Sequence, residues 1–197
     1  MKLKRSGRLV DMTRYLLEHP NTTVSLSYFS ERYESAKSSI SEDLVIVKES
    51  FENQGIGKLI TLPGASGGVK YLPFVEREAA ETFLKDLGQT LSSKDRLLPG
   101  GYLYMTDILG DPSIINEIGR LIASIYINKK IDVVMTMETK GIPIAYATAL
   151  QLHVPVVIVR RSSKVTEGST VSINYVSGSS KRIQTMVLPR RSLSPGS

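Results

Sequence analysis

The chain contains no cysteine. That excludes disulfide staples and zinc sites built on thiolates, and it fits a cytoplasmic protein. No apolar run reaches the roughly 18 residues that a membrane-spanning helix requires. The basic start, Met1-Lys2-Leu3-Lys4-Arg5-Ser6-Gly7-Arg8, leads into no secretion-signal core. Histidine is almost as scarce: His19 and His153 have no metal-ligand spacing, and no serine-histidine-acid triad can be composed. Neither catalytic nor metal-binding residues are therefore expected. Glycine and proline number only 15 and 9, and 41% of the residues are hydrophobic, so the chain is globular and not disordered. Its 197 residues suffice for one sizeable domain or two smaller ones.

Acid is lacking at both ends. Residues 1–8 carry four basic side chains and no acid, and residues 160–197 carry seven basic and one acidic. Residues 75–159 balance eight basic against ten acidic. Basic surfaces around a neutral body favour polyanions, either nucleic acid or phosphorylated ligands. Solubility alone accounts for the same charges.

Hydrophobic periodicity divides the chain. Residues 9–19 read as a helix stopped by Pro20, with Leu9, Met12 and Leu16 on one face. Residues 25–33 read as a short helix capped by Ser25. A third helix covers about 37–53, because Ala36, Ile40, Leu44, Val47 and Phe51 form one apolar stripe. Its cap is either Ser35 or Ser39, the latter followed by Glu42 in a capping box. The period then drops to two. Strands at 58–62 and 69–73 flank the turn Pro63-Gly64-Ala65-Ser66-Gly67-Gly68. Three helices and a hairpin describe a winged helix over residues 1–74.

Residues 75–197 read differently. A charged helix over 76–98, with Ala79, Phe83 and Leu87 on one face, serves as linker or dimerisation helix, and Pro99-Gly100-Gly101 breaks it. Asp111 caps a helix with Pro112 in its first turn. A strand at 131–137, a helix at 141–152 and an apolar strand at 154–159 follow. This alternation is that of an α/β domain with a parallel sheet. A hairpin, 171–175 with 183–188, comes last. Two core strands make a thin sheet, so the expectation is an α/β domain incomplete in this sequence or completed by a partner.

Two constellations carry function. Lys37, Ser38, Ser39 and Ser41 stand at the head of the third helix beside Arg32, where a helix N-terminus suits phosphate or entry into a major groove. Lys2, Lys4, Arg5 and Arg8 form a basic arm, and Lys70 lies on the wing; both add phosphate contacts. An ordinary capped surface helix accounts for the same serines. The glycine-rich wing tip has the wrong spacing for a nucleotide-binding loop. In the second half, Met137-Glu138-Thr139-Lys140-Gly141 joins a parallel strand to a helix, the edge where open α/β sheets bind ligands. Thr139, Lys140 and Gly141 there, with Arg160 and Lys164 after the neighbouring strand, converge on one anion site. A plain strand-helix turn is the alternative.

The blocks Ser30 to Leu44, Gly64 to Tyr71, Leu98 to Tyr102, Thr106 to Gly110 and Val165 to Val176 resemble the purine operon repressors of Gram-positive bacteria. The resemblance spans nearly the whole chain. It implies a winged helix joined to a type I phosphoribosyltransferase-like effector and dimerisation domain without enzyme activity. It implies homodimers on paired double-stranded operator sites upstream of purine synthesis and transport genes. It further implies release from DNA by phosphoribosyl pyrophosphate, with or without Mg2+, and no other cofactor. Thr139-Lys140-Gly141 would be the family's pyrophosphate loop and 160–177 its flexible loop. The family's acidic pair before a glycine-threonine loop does not occur in the chain and is expected after Ser197. The rivals are a purine phosphoribosyltransferase with an appended domain and a winged helix that binds protein.

Overall fold

A computed structural model describes residues 3–64, 67–162, 168–178 and 181–196. Lys2, Lys164 and the wing-tip residues Ala65 and Ser66 lie outside them.

The first region is α1 (Arg5–Glu18), β1 (Thr23–Val24), α2 (Leu26–Tyr33), α3 (Lys37–Asn53), β2 (Lys58–Leu62) and β3 (Gly68–Leu72). The three strands form one antiparallel sheet in the order β1-β3-β2. The apolar stripe of α3 is buried as its spacing requires: Ile40, Leu44, Val47 and Phe51 meet Met12 and Leu16 of α1, Phe29 and Tyr33 of α2, and Leu59, Val69 and Tyr71 of the wing. Ser25 caps α2, its hydroxyl accepting the Tyr28 N–H at 3.1 Å. The helix closes on Glu34 in the left-handed region (φ 51), with Ser35 N–H reaching the Ser30 carbonyl. A left-handed glutamate costs about 1–2 kcal/mol relative to a right-handed one, so the turn into α3 is held by its surroundings.

Three local expectations change. α1 starts at Arg5 rather than Leu9, so Arg5 and Arg8 belong to a helix and not to an arm. The physical reason is Asp43, fully buried on α3, which accepts Arg5 Nε and Arg8 Nε at 2.9 Å each. Second, neither Ser35 nor Ser39 caps α3: its N-cap is Ala36, without a side-chain bond, and the Ser35 hydroxyl donates to the Tyr33 carbonyl. Third, the two-residue β1 adds a strand to the wing sheet, too short to leave a period in the sequence.

The second region opens with α4 (Arg77–Leu91), shorter than the expected 76–98. One 3-10 turn (Lys94–Arg96) then leads into a hairpin, β4 (Leu97–Leu98) and β5 (Tyr102–Leu103), around Pro99-Gly100-Gly101. Arg96 anchors the hairpin by gripping both carboxylate oxygens of Asp107 at 2.7 and 2.8 Å. α5 (Thr106–Gly110) and α6 (Pro112–Ile125) follow. Asp111 caps α6 as expected, accepting the N–H groups of Ser113 and Ile114. β6 (Val134–Met137), α7 (Gly141–Leu152) and β7 (Val156–Val159) make an alternation of strand, helix and strand, with β6 and β7 parallel. α6 packs on α7 so closely that a Cβ at Gly119 would lie 2.6 Å from the Ala147 backbone. The hairpin β8 (Thr170–Val176) and β9 (Ile183–Pro189) joins β7 through paired hydrogen bonds between Arg160 and Val187.

The two regions touch. Asn21 Nδ2 donates to the Gln151 carbonyl at 2.8 Å, and Arg120 donates to the carbonyls of Gly55 and Ile56 at 3.0 and 3.1 Å. The rings of His19 and His153 face each other, centroids 5.9 Å apart. Among the described residues no helix is long and apolar enough to cross a membrane.

Candidate functional site: a nucleic-acid interface and an anion loop

At the first site, an uncapped helix start leaves the first-turn N–H groups of α3 directed outward. Lys37, Ser38 and Ser41 are exposed there and Ser39 is half-buried. Ser41 also borders a hollow of about 90 Å3 whose other wall includes Thr61 and Val69 of the wing. Helix and wing therefore share one groove. Lys48, which sequence reasoning passed over, lines it too. Lys70, half-buried on β3, sits between Thr23 and Ile60 in the sheet register. Among the described residues, Lys4, Lys37 and Lys70 form no ion pair.

The arginines behave otherwise. Arg32 donates to Asp11 at 2.8 Å and to the Tyr28 hydroxyl at 3.2 Å, and it lies over the rings of Tyr15, Tyr28 and Tyr33. Asp11 in turn accepts the Tyr33 hydroxyl at 2.9 Å. The Arg32 guanidinium holds the Asp11 carboxyl well below its ordinary range, at about 2. Burial, with the Asp11 bond second, pushes the Tyr33 phenol up. Arg5, Arg8 and Arg32 thus tie α1 to α3 and α2, and their charge is largely answered within the chain. One sign of this was legible: Asp43 interrupts the apolar stripe between Ile40 and Val47, and an acid in such a stripe requires a cation.

At the second site, β6 ends and α7 begins across Glu138, Thr139 and Lys140. Thr139 and Lys140 are exposed, and Ile142 N–H closes on the Thr139 carbonyl at 3.2 Å. Gly141 has no room for a side chain, since its Cβ would fall 2.3 Å from Thr136 Oγ1. Register places Met137 opposite Val159, so the segments after β6 and β7 leave from one edge, as the sequence suggests. Arg160 meets Glu138 there: its guanidinium donates at 3.1 Å, and the Arg161 N–H donates to the other carboxylate oxygen at 2.9 Å. Lys140 forms no ion pair among the described residues. Those residues also hold no group of three His, Cys, Asp or Glu placed to bind a metal.

Residues 4–73 match the family model of the bacterial purine repressor N-terminal domain, and residues 105–195 match that of the phosphoribosyl transferase domain. The chain is 64% identical over 197 residues to the purine biosynthesis transcriptional repressor PurR of Bacillus subtilis, covering 100% of this chain and 69% of that protein. It is 52% identical over 194 residues to the purine biosynthesis transcriptional activator PurR of Lactococcus lactis, covering 98% and 72%. A xanthine phosphoribosyltransferase of Leuconostoc mesenteroides is 34% identical over 86 residues, only 42% of this chain and 46% of that enzyme. Likeness along the whole chain is thus to regulators, and likeness to enzymes stops at part of it. The chain belongs to the PurR family of purine biosynthesis transcriptional regulators, DNA-binding proteins that pair a winged helix with a phosphoribosyltransferase-like domain and are not the enzymes themselves.

Proposed function

We propose that the protein acts in the cytoplasm as a homodimeric repressor. It binds paired operator sites near purine synthesis and transport genes and leaves them when phosphoribosyl pyrophosphate accumulates. The division of labour is residues 1–74 for DNA and residues 75–197 for effector and pairing. The observation that carries the DNA half is the uncapped, serine-lined start of α3 opening onto the wing groove. Ser38, Ser39 and Ser41 are short enough to let the helix sit deep in a major groove. Lys4, Lys37 and Lys70 neutralise phosphates, and Lys2 adds to them. Arg5, Arg8 and Arg32 contribute mainly by holding α1, α2 and α3 in one body.

The effector half rests on the loop at the end of β6. A diphosphate fits there chemically: backbone N–H groups of Lys140 and Gly141 donate at the start of α7, and the Lys140 ammonium supplies charge without a competing acid. Thr139 adds a hydroxyl. Arg160, released from Glu138, and Lys164 close over the ligand, with or without Mg2+ bridging its phosphates.

The test is an electrophoretic mobility shift with fragments upstream of purine genes, across a salt series. Specific binding should weaken steeply with salt, because each phosphate contact releases counterions. Phosphoribosyl pyrophosphate should reverse it. Lys37→Ala should flatten the salt slope by about one contact. Binding indifferent to DNA sequence, or to the effector, would overturn the corresponding half. Since one relative is named a repressor and another an activator, a promoter fusion sets the sign. Turnover of a purine base with phosphoribosyl pyrophosphate would restore the enzyme as a rival.

A further inference from the structure

α4 is fifteen residues long and none of them is buried, with Ala80, Phe83, Leu87 and Leu91 only half-covered. Yet it carries an apolar seam. Ala80, Leu84, Leu87 and Leu91 recur at spacings of four, three and four, the repeat of a two-stranded coiled coil. Leu84 is 56% exposed. Beside the seam lies Gly88, in a helix interior where glycine costs helix stability. A Cβ at Gly88 would meet nothing within 4 Å. Among the described residues no close neighbour accounts for the glycine.

The hairpin after α4 exposes more. Leu97 is 68% exposed and Tyr102 72%, with Leu98, Leu103 and Tyr104 also open. Together with Leu84 these side chains leave on the order of 600 Å2 uncovered, given the size of a large apolar side chain. A standard interface takes roughly 800 Å2 from each partner.

We infer that α4 pairs with α4 of a second copy of this chain, in parallel and in register, with the β4–β5 hairpins flanking the seam. The inference rests on the dimer proposed above and names its surface. In that arrangement Leu84 meets Leu84 and Leu87 meets Leu87. Phe83 flanks the seam on one side and Gly88 on the other, five positions on. That is the offset at which flanking positions of two parallel helices face each other, so Phe83 of one copy fills the space over Gly88 of the next. A parallel seam also brings both winged helices, which run directly into α4, to the same end. Two adjacent half-sites on one duplex need that placement.

The absence of cysteine makes the test clean. In the full chain, Leu87→Cys should form a disulfide-linked dimer on mild oxidation, because the same residue of two copies meets itself. Leu150→Cys, on the exposed side of α7, should not. Leu87→Glu should move the wild-type dimer to monomer in sedimentation velocity. Gly88→Leu should weaken pairing at least tenfold while the melting temperature of the monomer holds or rises. A wild-type dimer that neither crosslinks at position 87 nor yields to Leu87→Glu would overturn the seam and leave the proposed dimer standing. A wild type monomeric at 100 μM that still shifts operator DNA would overturn both the seam and the pairing, but not DNA binding.

Discussion

The winged helix and the region after it bury apolar surface in different ways. In the first, twelve large or branched side chains close one continuous core. In the second, buried positions are mostly isolated or small: Ala123, Ala145, Ala149, Val157 and Val187 among them. Large apolar groups stay outside, Tyr146 at 57% and Leu150 at 64% exposed, and Met135 and Met137 are exposed as well. Small residues let α6 and α7 approach closely, but they gain little from burial, at roughly 25 cal/mol per Å2. The winged helix holds its own shape, whereas the phosphoribosyltransferase-like region relies on close helix contact and leaves surface for other contacts.

Phe51→Ala strikes the better core and should cost about 3–5 kcal/mol. Urea unfolding followed by tyrosine fluorescence reads it. Leu152→Ala should cost clearly less, near the lower limit of about 2 kcal/mol for such truncations. Equal losses would erase the contrast between the regions.

Asp43→Ala tests whether charge or packing dominates where α1 crosses α3. It leaves Arg8, nearly buried, and Arg5, half-exposed, without their shared carboxylate. Breaking a buried pair from one side costs about 3–5 kcal/mol, and the exposure of Arg5 places this case at about 3. Thermal unfolding of Asp43→Ala beside Asp43→Asn measures it, and the amide should recover part of the loss.

In the second region the expected effect is on ligand and not on fold. Lys140→Ala should lower affinity for phosphoribosyl pyrophosphate by about 1.5–3 kcal/mol, the worth of a charge-assisted hydrogen bond. Calorimetry gives the value, and stability should move by less than about 0.5 kcal/mol. An unchanged affinity would remove Lys140 from the anion site.

The smallest effect concerns pH. The Arg32 guanidinium holds the folded Asp11 carboxyl down at about 2, well below an ordinary aspartate. A depressed folded value stabilises the protein above the unfolded value, and that contribution is lost as pH falls from about 4 through about 2. Partial exposure of the pair limits it to about 1 kcal/mol. Asp11→Asn should flatten this part of the stability curve and leave the rest unchanged.

What the sequence made legible follows from the range of the interactions. The α3 stripe, the wing strands, the Asp111 cap and the β8–β9 hairpin are all set by neighbours within a few residues, and all can be read from spacing. The pairing of Asp43 with Arg5 and Arg8 spans 35 or more positions. Arg5 and Arg8 therefore read as part of a basic arm until the fold supplies their partner. The contact of Arg96 with Asp107, eleven positions on and across the hairpin, is likewise absent from local spacing. At the anion loop, strand and helix order placed Thr139 to Gly141 correctly at an edge, but the grip of Glu138 on Arg160 depends on register between strands and left no local trace.

α7 starts at the loop proposed to hold the anion and finishes against the winged helix, where the Gln151 carbonyl accepts Asn21 and the His153 ring lies near that of His19. Twelve residues therefore act as a spacer of about 18 Å with a defined phase. One residue added midway would swing the far end by about 100° and lift it by about 1.5 Å. Both ends would survive such an insertion intact, yet they would no longer address each other. The length of this helix is thus as much a part of the molecule's geometry as any side chain it carries.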